Sequence, residues 1–355
     1  MIVRGMTSQS IGCCLLLCLP VMAVSGCWPD AFYEVMTDDP AVRLPLDEAP
    51  HSGGAEWWYY TGRLVTEDGH GYGVEVSVFH ASLAPFIVIA DGWAAHFAVL
   101  DEATGAFVYE QTRRLGIPAY GGLRSGGFDL KTSLMQITGS DGRDRIQAAM
   151  EDGPYAIDLT LEDERGPIVH EGDGYVAYGR FGRSFYYSRP RMRASGTLRI
   201  DGRSHNVSGT MWFDRQWGWS LITPGARWDW FSLRLDDGTD VMLFAFRDTP
   251  RAVIFGSYIP DVGEPVWLSA DDFVITPTDW WTSPRLGATY PVAWSIRIIP
   301  QDLTLAVIAV ADDQELDVRA STLNTYWEGM CNLTGTRAGR PVTGLAYVEL
   351  TGYGE

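Results

Sequence analysis

The sequence repeats itself once, and that repeat limits the architecture more than any other feature. Trp57-Trp58-Tyr59-Tyr60-Thr61-Gly62-Arg63-Leu64 matches Trp228-Asp229-Trp230-Phe231-Ser232-Leu233-Arg234-Leu235 in the pattern Trp-x-aromatic-aromatic-x-x-Arg-Leu. Val207-Ser208-Gly209-Thr210-Met211-Trp212-Phe213-Asp214 matches Val342-Thr343-Gly344-Leu345-Ala346-Tyr347-Val348-Glu349 in the pattern Val-hydroxyl-Gly-x-x-aromatic-apolar-acid. The two strings come in the same order in each half. This is the signature of a duplicated domain, not of a short-period solenoid.

Each half reads as strands. Runs rich in β-branched and aromatic residues are separated at hairpin spacing by Glu67-Asp68-Gly69, Asp101 to Gly105, Ser140-Asp141-Gly142, Asp201-Gly202 and Asp236-Asp237-Gly238. Such residues tolerate the positive φ of tight turns. Short helical turns are expected only at Tyr109 to Leu115 and Trp267 to Phe273. A flat sheet of this size exposes edges, which antiparallel proteins remove by closing into barrels. The expected fold is therefore all-β, with two antiparallel β-barrel domains in tandem. A barrel of about eight strands has room for one small ligand. Expected divisions are 1–27 as a signal segment, 28–220 as the first barrel and 221–355 as the second, with Thr223-Pro224-Gly225 at the boundary.

Charge and cysteine placement narrow the function. The net charge of -18 argues against nucleic acid, where a basic face must displace counterions from phosphate. Four of the five cysteines, Cys13, Cys14, Cys18 and Cys27, lie in the leading segment, and Cys331 lacks an internal disulfide partner. Arg4 followed by the apolar run Cys13 to Val24 has the length of a signal-peptide core. Its end, Val24-Ser25-Gly26-Cys27, resembles a bacterial lipobox. That implies lipidation of Cys27 and, with Trp28 next, an outer-membrane lipoprotein on the periplasmic side of the envelope. Plain secretion after cleavage nearby and an uncleaved anchor are the alternatives.

The mature chain resembles the AttH / carotenoid 1,2-hydratase family. The resemblance rests on Glu56-Trp57-Trp58-Tyr59-Tyr60-Thr61-Gly62, His96-Phe97, Tyr187-Ser188-Arg189-Pro190-Arg191-Met192, Gly209 to Gly218, Trp228-Asp229-Trp230-Phe231 and Tyr326-Trp327-Glu328-Gly329. It implies two lipocalin-like (calycin) domains and activity on apolar substrates. It also implies, for the bacterial branch, lipoproteins linked to an ABC transporter. Arg215 stands where the hydratase branch has a histidine, which favours the AttH-type branch.

Asp214 is the first candidate for chemistry. On a strand, Trp212, Asp214 and Gln216 share one face, and Phe213, Arg215 and Trp217 the other. An acid beside aromatic rings has its pKa raised, and a neutral carboxylic acid can protonate an alkene. The competing reading is a structural acid paired with an arginine. Asp214, Trp217 and His96 form the candidate catalytic set. Glu56, Trp57, Trp58, His80, Tyr187, Arg215, Trp230, Tyr326 and Glu349 are the candidate ligand contacts. A hydrolase would need a nucleophile, and no Gly-x-Ser-x-Gly elbow occurs. No His-x-His or His-Glu-x-x-His spacing supports a metal, and no cofactor is expected.

The leading expectation is a lipid-anchored envelope protein that binds a hydrophobic small molecule or lipid, with an ABC transport system as partner. The rival is a hydratase-type hydro-lyase acting on a polyene or isoprenoid-like substrate. A purely structural envelope protein would instead have both barrels filled by side chains.

Overall fold

The computed structural model describes residues 41–51, 54–83, 90–115, 120–122, 126–178, 182–219, 227–247 and 253–354. The signal segment with Cys27, and Thr223-Pro224-Gly225 at the expected boundary, lie outside the described residues. Among those residues the only helical pieces are two 3-10 turns, Leu46–Glu48 and Ile299–Gln301. The rest is strands and turns, so the all-β expectation holds.

The first half contains β1 (Gly54–Thr66), β2 (Gly71–Leu83), β3 (Ala90–Asp101), β4 (Phe107–Leu115), β5 (Tyr120–Gly122), β6 (Phe128–Lys131), β7 (Met135–Ser140), β8 (Arg143–Ala149), β9 (Tyr155–Asp163), β10 (Ile168–Val169), β11 (Tyr175–Ala177), β12 (Arg183–Ile200) and β13 (Arg203–Trp219). The second contains β14 (Trp228–Leu235), β15 (Asp240–Phe246), β16 (Val253–Ile259), β17 (Val266–Ser269), β18 (Phe273–Thr282), β19 (Thr289–Ile298), β20 (Leu303–Ala309), β21 (Glu315–Asp317), β22 (Thr325–Arg337) and β23 (Arg340–Thr351). The expected hairpin turns fall between these strands. At the β7–β8 turn Asp141 and Gly142 have φ of 52° and 73°, the positive values that a tight two-residue hairpin requires. The two expected helical turns are not formed. Tyr109 to Leu115 belongs to β4, paired with β3, and Trp267 to Phe273 spans the end of β17, a turn and the start of β18. Cross-strand pairing overrides a weak local preference.

The two halves repeat one topology. The first sheet runs β4-β3-β2-β1-β13-β12-β9-β8-β7-β6-β5, and the second β17-β16-β15-β14-β23-β22-β20-β19-β18. In each, the two ends of the path are consecutive in the chain, so the sheet curls back on itself. The second is joined end to end by a turn in which the Asp272 N–H donates to the Ser269 carbonyl at 3.0 Å. In the first, Thr112 of β4 bonds Ser133 of the β6–β7 turn at 2.8 Å. These two curled antiparallel sheets are the lipocalin-like halves.

The repeated strings turn out to pair with each other. In the first half Tyr59 lies opposite Asp214, and in the second Trp230 lies opposite Glu349. Alternation then sends neighbouring residues to different layers. Phe231, Leu233, Trp294, Leu305 and Trp327 fill the interior of the second barrel. The expectation of an apolar ligand cavity inside that barrel is thus corrected. Tyr59, Trp212, Trp230, Met242, Phe244, Met330 and Tyr347 form a separate apolar layer drawn from both sheets. A buried side chain such as Phe244 or Met242 contributes roughly 1.5–3 kcal/mol, so this layer holds the two halves together.

Candidate functional site between the two sheets

The layer between the sheets gathers buried acids, histidines and aromatic rings. Strand register places Gln111, His96, Ser77, Tyr59, Asp214 and Ser188 in one row across β4, β3, β2, β1, β13 and β12. A second row runs Phe255, Phe244, Trp230, Glu349 and Glu328 across β16, β15, β14, β23 and β22. The rows face each other. The Tyr59 hydroxyl donates to Glu328 Oε1 at 2.5 Å, and His96 Nδ1 meets the Tyr326 hydroxyl at 2.7 Å. The Tyr59 ring stands edge-on to Trp230 at 5.4 Å, and Trp212 meets Trp230 at 6.1 Å.

Asp214 is buried among donors. Trp212 Nε1 donates to its Oδ1 at 2.5 Å, the Ser188 hydroxyl donates to the same oxygen, and the Tyr186 hydroxyl donates to Oδ2. Trp230 Nε1 in turn donates to the Tyr186 oxygen at 2.9 Å. No arginine pairs with Asp214 among the described residues. Burial pushes its carboxyl up to about 7, against the pull of these donors. Behind Ser188, His170 Nε2 contacts the Ser188 hydroxyl and Nδ1 the Ser257 hydroxyl, both at 2.7 Å. This links the acid to the second sheet. Burial lowers His170 and His96 to about 3 each, so both rings are neutral donors or acceptors.

Three more carboxyls share the layer. Glu328 and Glu349 are direct cross-strand neighbours, and Glu75 projects from the facing strand β2. Like charges directly opposite on a sheet repel, so the set excludes full ionisation. Burial pushes Glu75 up to about 8, with the Glu349 charge adding to it. Burial, then Glu349 and Glu75, push Glu328 well above the usual range. Loss of solvent raises Glu349 to about 7 against bonds from Thr351 and Trp228. Neither oxygen of Glu75, nor Glu328 Oε2, has a well-formed hydrogen bond. A cavity of about 10 Å³ lies in the same layer, lined by Thr61, Trp212, Ser232, Arg234, Met330 and Tyr347 among others and by none of the four carboxyls. That is about the volume one water needs.

The candidate residues divide by strand face. Asp214, His96, Trp57, Trp230, Tyr326 and Glu349 belong to the layer between the sheets. Trp217, Tyr187, Trp58, Arg215, Glu56 and His80 do not. Alternation turns Trp217 and Tyr187 into the first barrel, where Tyr187 packs on Phe213 and Trp217 stacks on His51 at 4.4 Å. Trp217 therefore cannot assist Asp214, and the expected catalytic grouping is split. Arg215, likewise inside, bonds Glu56 at 2.6 Å and lies 3.8 Å from the Trp58 ring. His80 bonds Glu56 at 2.7 Å. Burial opposes ionisation of Glu56, but Arg215 and the two histidines outweigh it and hold its carboxyl far below the usual range. Sequence reasoning missed Glu75, Glu328, Tyr186, Ser188 and His170. Two-residue alternation from Tyr326 and the pairing of the repeats would have flagged Glu328. His170, at the turn after β10, is fully buried by contacts with Ser188 and Ser257.

The comparisons with known proteins bear on family and fold. The AttH-like family description matches residues 35–353. An AttH protein of solved structure from Nitrosomonas europaea is 30% identical, with a TM-score of 0.77 over 89% of this chain and 98% of that one. A kievitone hydratase from Fusarium solani subsp. phaseoli is 23% identical over 228 residues, 61% of this chain and 62% of that relative, so the match spans under two thirds of its length. The crystal structure of a kievitone hydratase from Nectria haematococca is 20% identical, with a TM-score of 0.69 over 89% of this chain and 94% of that one, a likeness of fold. By the match along most of its length and the shared tandem fold, the chain belongs to the AttH-like family.

Proposed function

We propose that this protein is a hydratase-type enzyme that adds water across a carbon–carbon double bond of an apolar substrate, between its two sheets. One observation carries the reading. Asp214, Glu75, Glu328 and Glu349 share this layer with the Tyr59, Trp212 and Trp230 rings, and among the described residues no basic side chain pairs with them. Acid-catalysed hydration needs a neutral acid to protonate the alkene and an acceptor for the proton the water gives up. It also gains from π faces against the cationic carbon. All three lie within this layer, and the small cavity beside Trp212 has room for the water. The relationship to kievitone hydratase supports the same class of chemistry. Arg215 does not count against it, because its side chain lies inside the first barrel on the face away from Asp214. A lipid-anchored carrier working with an ABC transporter rests on the Val24 to Cys27 string and the family resemblance.

The test is to incubate the chain with kievitone and with simple prenylated phenols in heavy-oxygen water. The expected product is an alcohol that has gained one labelled water, seen by mass spectrometry. If no substrate in the panel acquires label above the protein-free control, the proposal fails.

A further inference from the structure

The layer between the sheets holds two kinds of carboxyl, and their bonding differs. Asp214 is filled with donors: Trp212 and Ser188 on Oδ1, Tyr186 on Oδ2. A carboxylate accepts at both oxygens, whereas a protonated carboxyl must find an acceptor for its own O–H. Three converging donors thus build a seat for an ionised Asp214. Glu328 is the opposite case. Its Oε1 accepts from Tyr59 at 2.5 Å, and its Oε2 is buried without a hydrogen-bond partner. In register it lies directly opposite Glu349, and Glu75 also acts on it. Among the described residues the titratable groups facing Glu328 are Glu75 from β2, Glu349 from β23, Tyr59 from β1 and Tyr326 on its own strand, with Tyr347 beside them. None is cationic. A negative charge there faces other acids and no donor beyond one phenol.

Resting on the hydratase reading above, we infer that Glu328, through Oε2, is the proton donor to the alkene, and that Asp214 is the carboxylate that receives the water's proton. Tyr59 and Trp230 lie between the two. As the Glu328 O–H bond breaks, its proton forms a C–H bond with the alkene π pair, which leaves a cationic carbon against the aromatic rings. A water lone pair forms the C–O bond, and the proton released from that water moves to Asp214. Alkene plus water becomes alcohol, and one proton has passed from Glu328 to Asp214, to be returned through solvent. The higher raised position of Glu328 and Glu75, relative to about 7 for Asp214, is consistent with this division. Environments that push two acids apart separate donor from acceptor.

Deuterium oxide distinguishes the roles. Reversible protonation of the alkene writes deuterium into recovered substrate, even when no alcohol forms. Glu328→Gln is expected to lose both alcohol and deuterium exchange. Asp214→Asn is expected to lose the alcohol while exchange persists. Exchange that persists in Glu328→Gln, or is abolished in folded Asp214→Asn, overturns the assignment. A wild-type chain that gives neither product nor exchange sinks the hydratase reading itself instead. A variant-free measurement covers the case in which either substitution prevents folding. Infrared spectra of chain labelled in glutamate carbonyl groups should retain a protonated-carboxyl band to higher pH than chain labelled in aspartate. Earlier loss of the glutamate band overturns the inference.

Discussion

Replacing Asp214 by Asn should change stability by an amount whose sign depends on pH. The wild-type carboxyl stands at about 7 in the folded chain, against 3.8 as its ordinary value. Folding therefore retains a proton that the unfolded chain releases across this window. For a group raised in this way, stability is fully present below the ordinary value and is lost as pH rises through the folded one. At 1.36 kcal/mol per pH unit, the loss from Asp214 alone is ~4 kcal/mol once pH exceeds the folded value. Asparagine does not titrate, so the variant loses that slope. It has one acceptor oxygen and an NH₂ group that cannot accept, where the neutral acid has a carbonyl oxygen and a hydroxyl that still accepts, so one more of the donors Trp212, Ser188 and Tyr186 goes unmatched. At least one donor is then opposed by another, at a cost of about 1–3 kcal/mol. The variant should be less stable than wild type by that amount near pH 5. The gap should close or reverse near pH 9, where the wild type carries a buried charge. Urea unfolding of both chains at a series of pH values measures the difference directly. A difference independent of pH would refute the reasoning, because Asp214 would then not titrate in this window.

Other substitutions separate the two layers. Arg215→Met should cost about 3–5 kcal/mol, since it leaves Glu56 buried without its cation, and thermal unfolding will show it. The chemistry between the sheets should survive, because Arg215 lies inside the first barrel; loss of turnover in folded variant would contradict that separation. Tyr59→Phe removes the donor to Glu328 and should cost about 1–3 kcal/mol. It should also move the alkaline limb of any rate–pH profile upward, since the Glu328 carboxylate loses its one phenol partner; an unmoved limb would remove Glu328 from the titrating groups that set it.

The amount of this site legible in the sequence follows from which interactions are local. Duplication, hairpin turns and the faces of β13 depend on residues near one another in the chain. Alternation alone correctly put Asp214 with Trp212 and apart from Trp217. Register between distant strands is a different matter. That Glu328 lies opposite Glu349, or that Tyr59 reaches it across 269 residues of chain, depends on how two sheets pack. His170 was unreadable for the same reason. Its partners Ser188 and Ser257 are brought to it by β12 and β16, and no local periodicity announces a histidine after a two-residue strand. Filling of the second barrel was also hidden. The large residues that plug it, Trp294 and Trp327, are the types that would line a ligand cavity.

Asp214 and Glu349 occupy equivalent positions of the repeat, a coincidence that a structural role for both acids would explain. The register gives the coincidence another meaning. Tyr59 pairs with Asp214 and Trp230 with Glu349, so the equivalent acids lie on equivalent faces. Those faces pack against one another in one layer. Duplication has therefore not buried the two acids in separate barrels. It has brought one row of acids and rings from each half to a single buried seam, where neither row would be buried by its own barrel. Divergence between the copies then has a chemical consequence. The first copy surrounds its acid with donors from Tyr186, Ser188 and Trp212, while the second places Glu328 next to Glu349 with one phenol between them and the other sheet. At the position where the first copy sets a donor, Ser188, opposite its acid, the second sets another acid, Glu328, and the two copies thereby differ in what they can give or take.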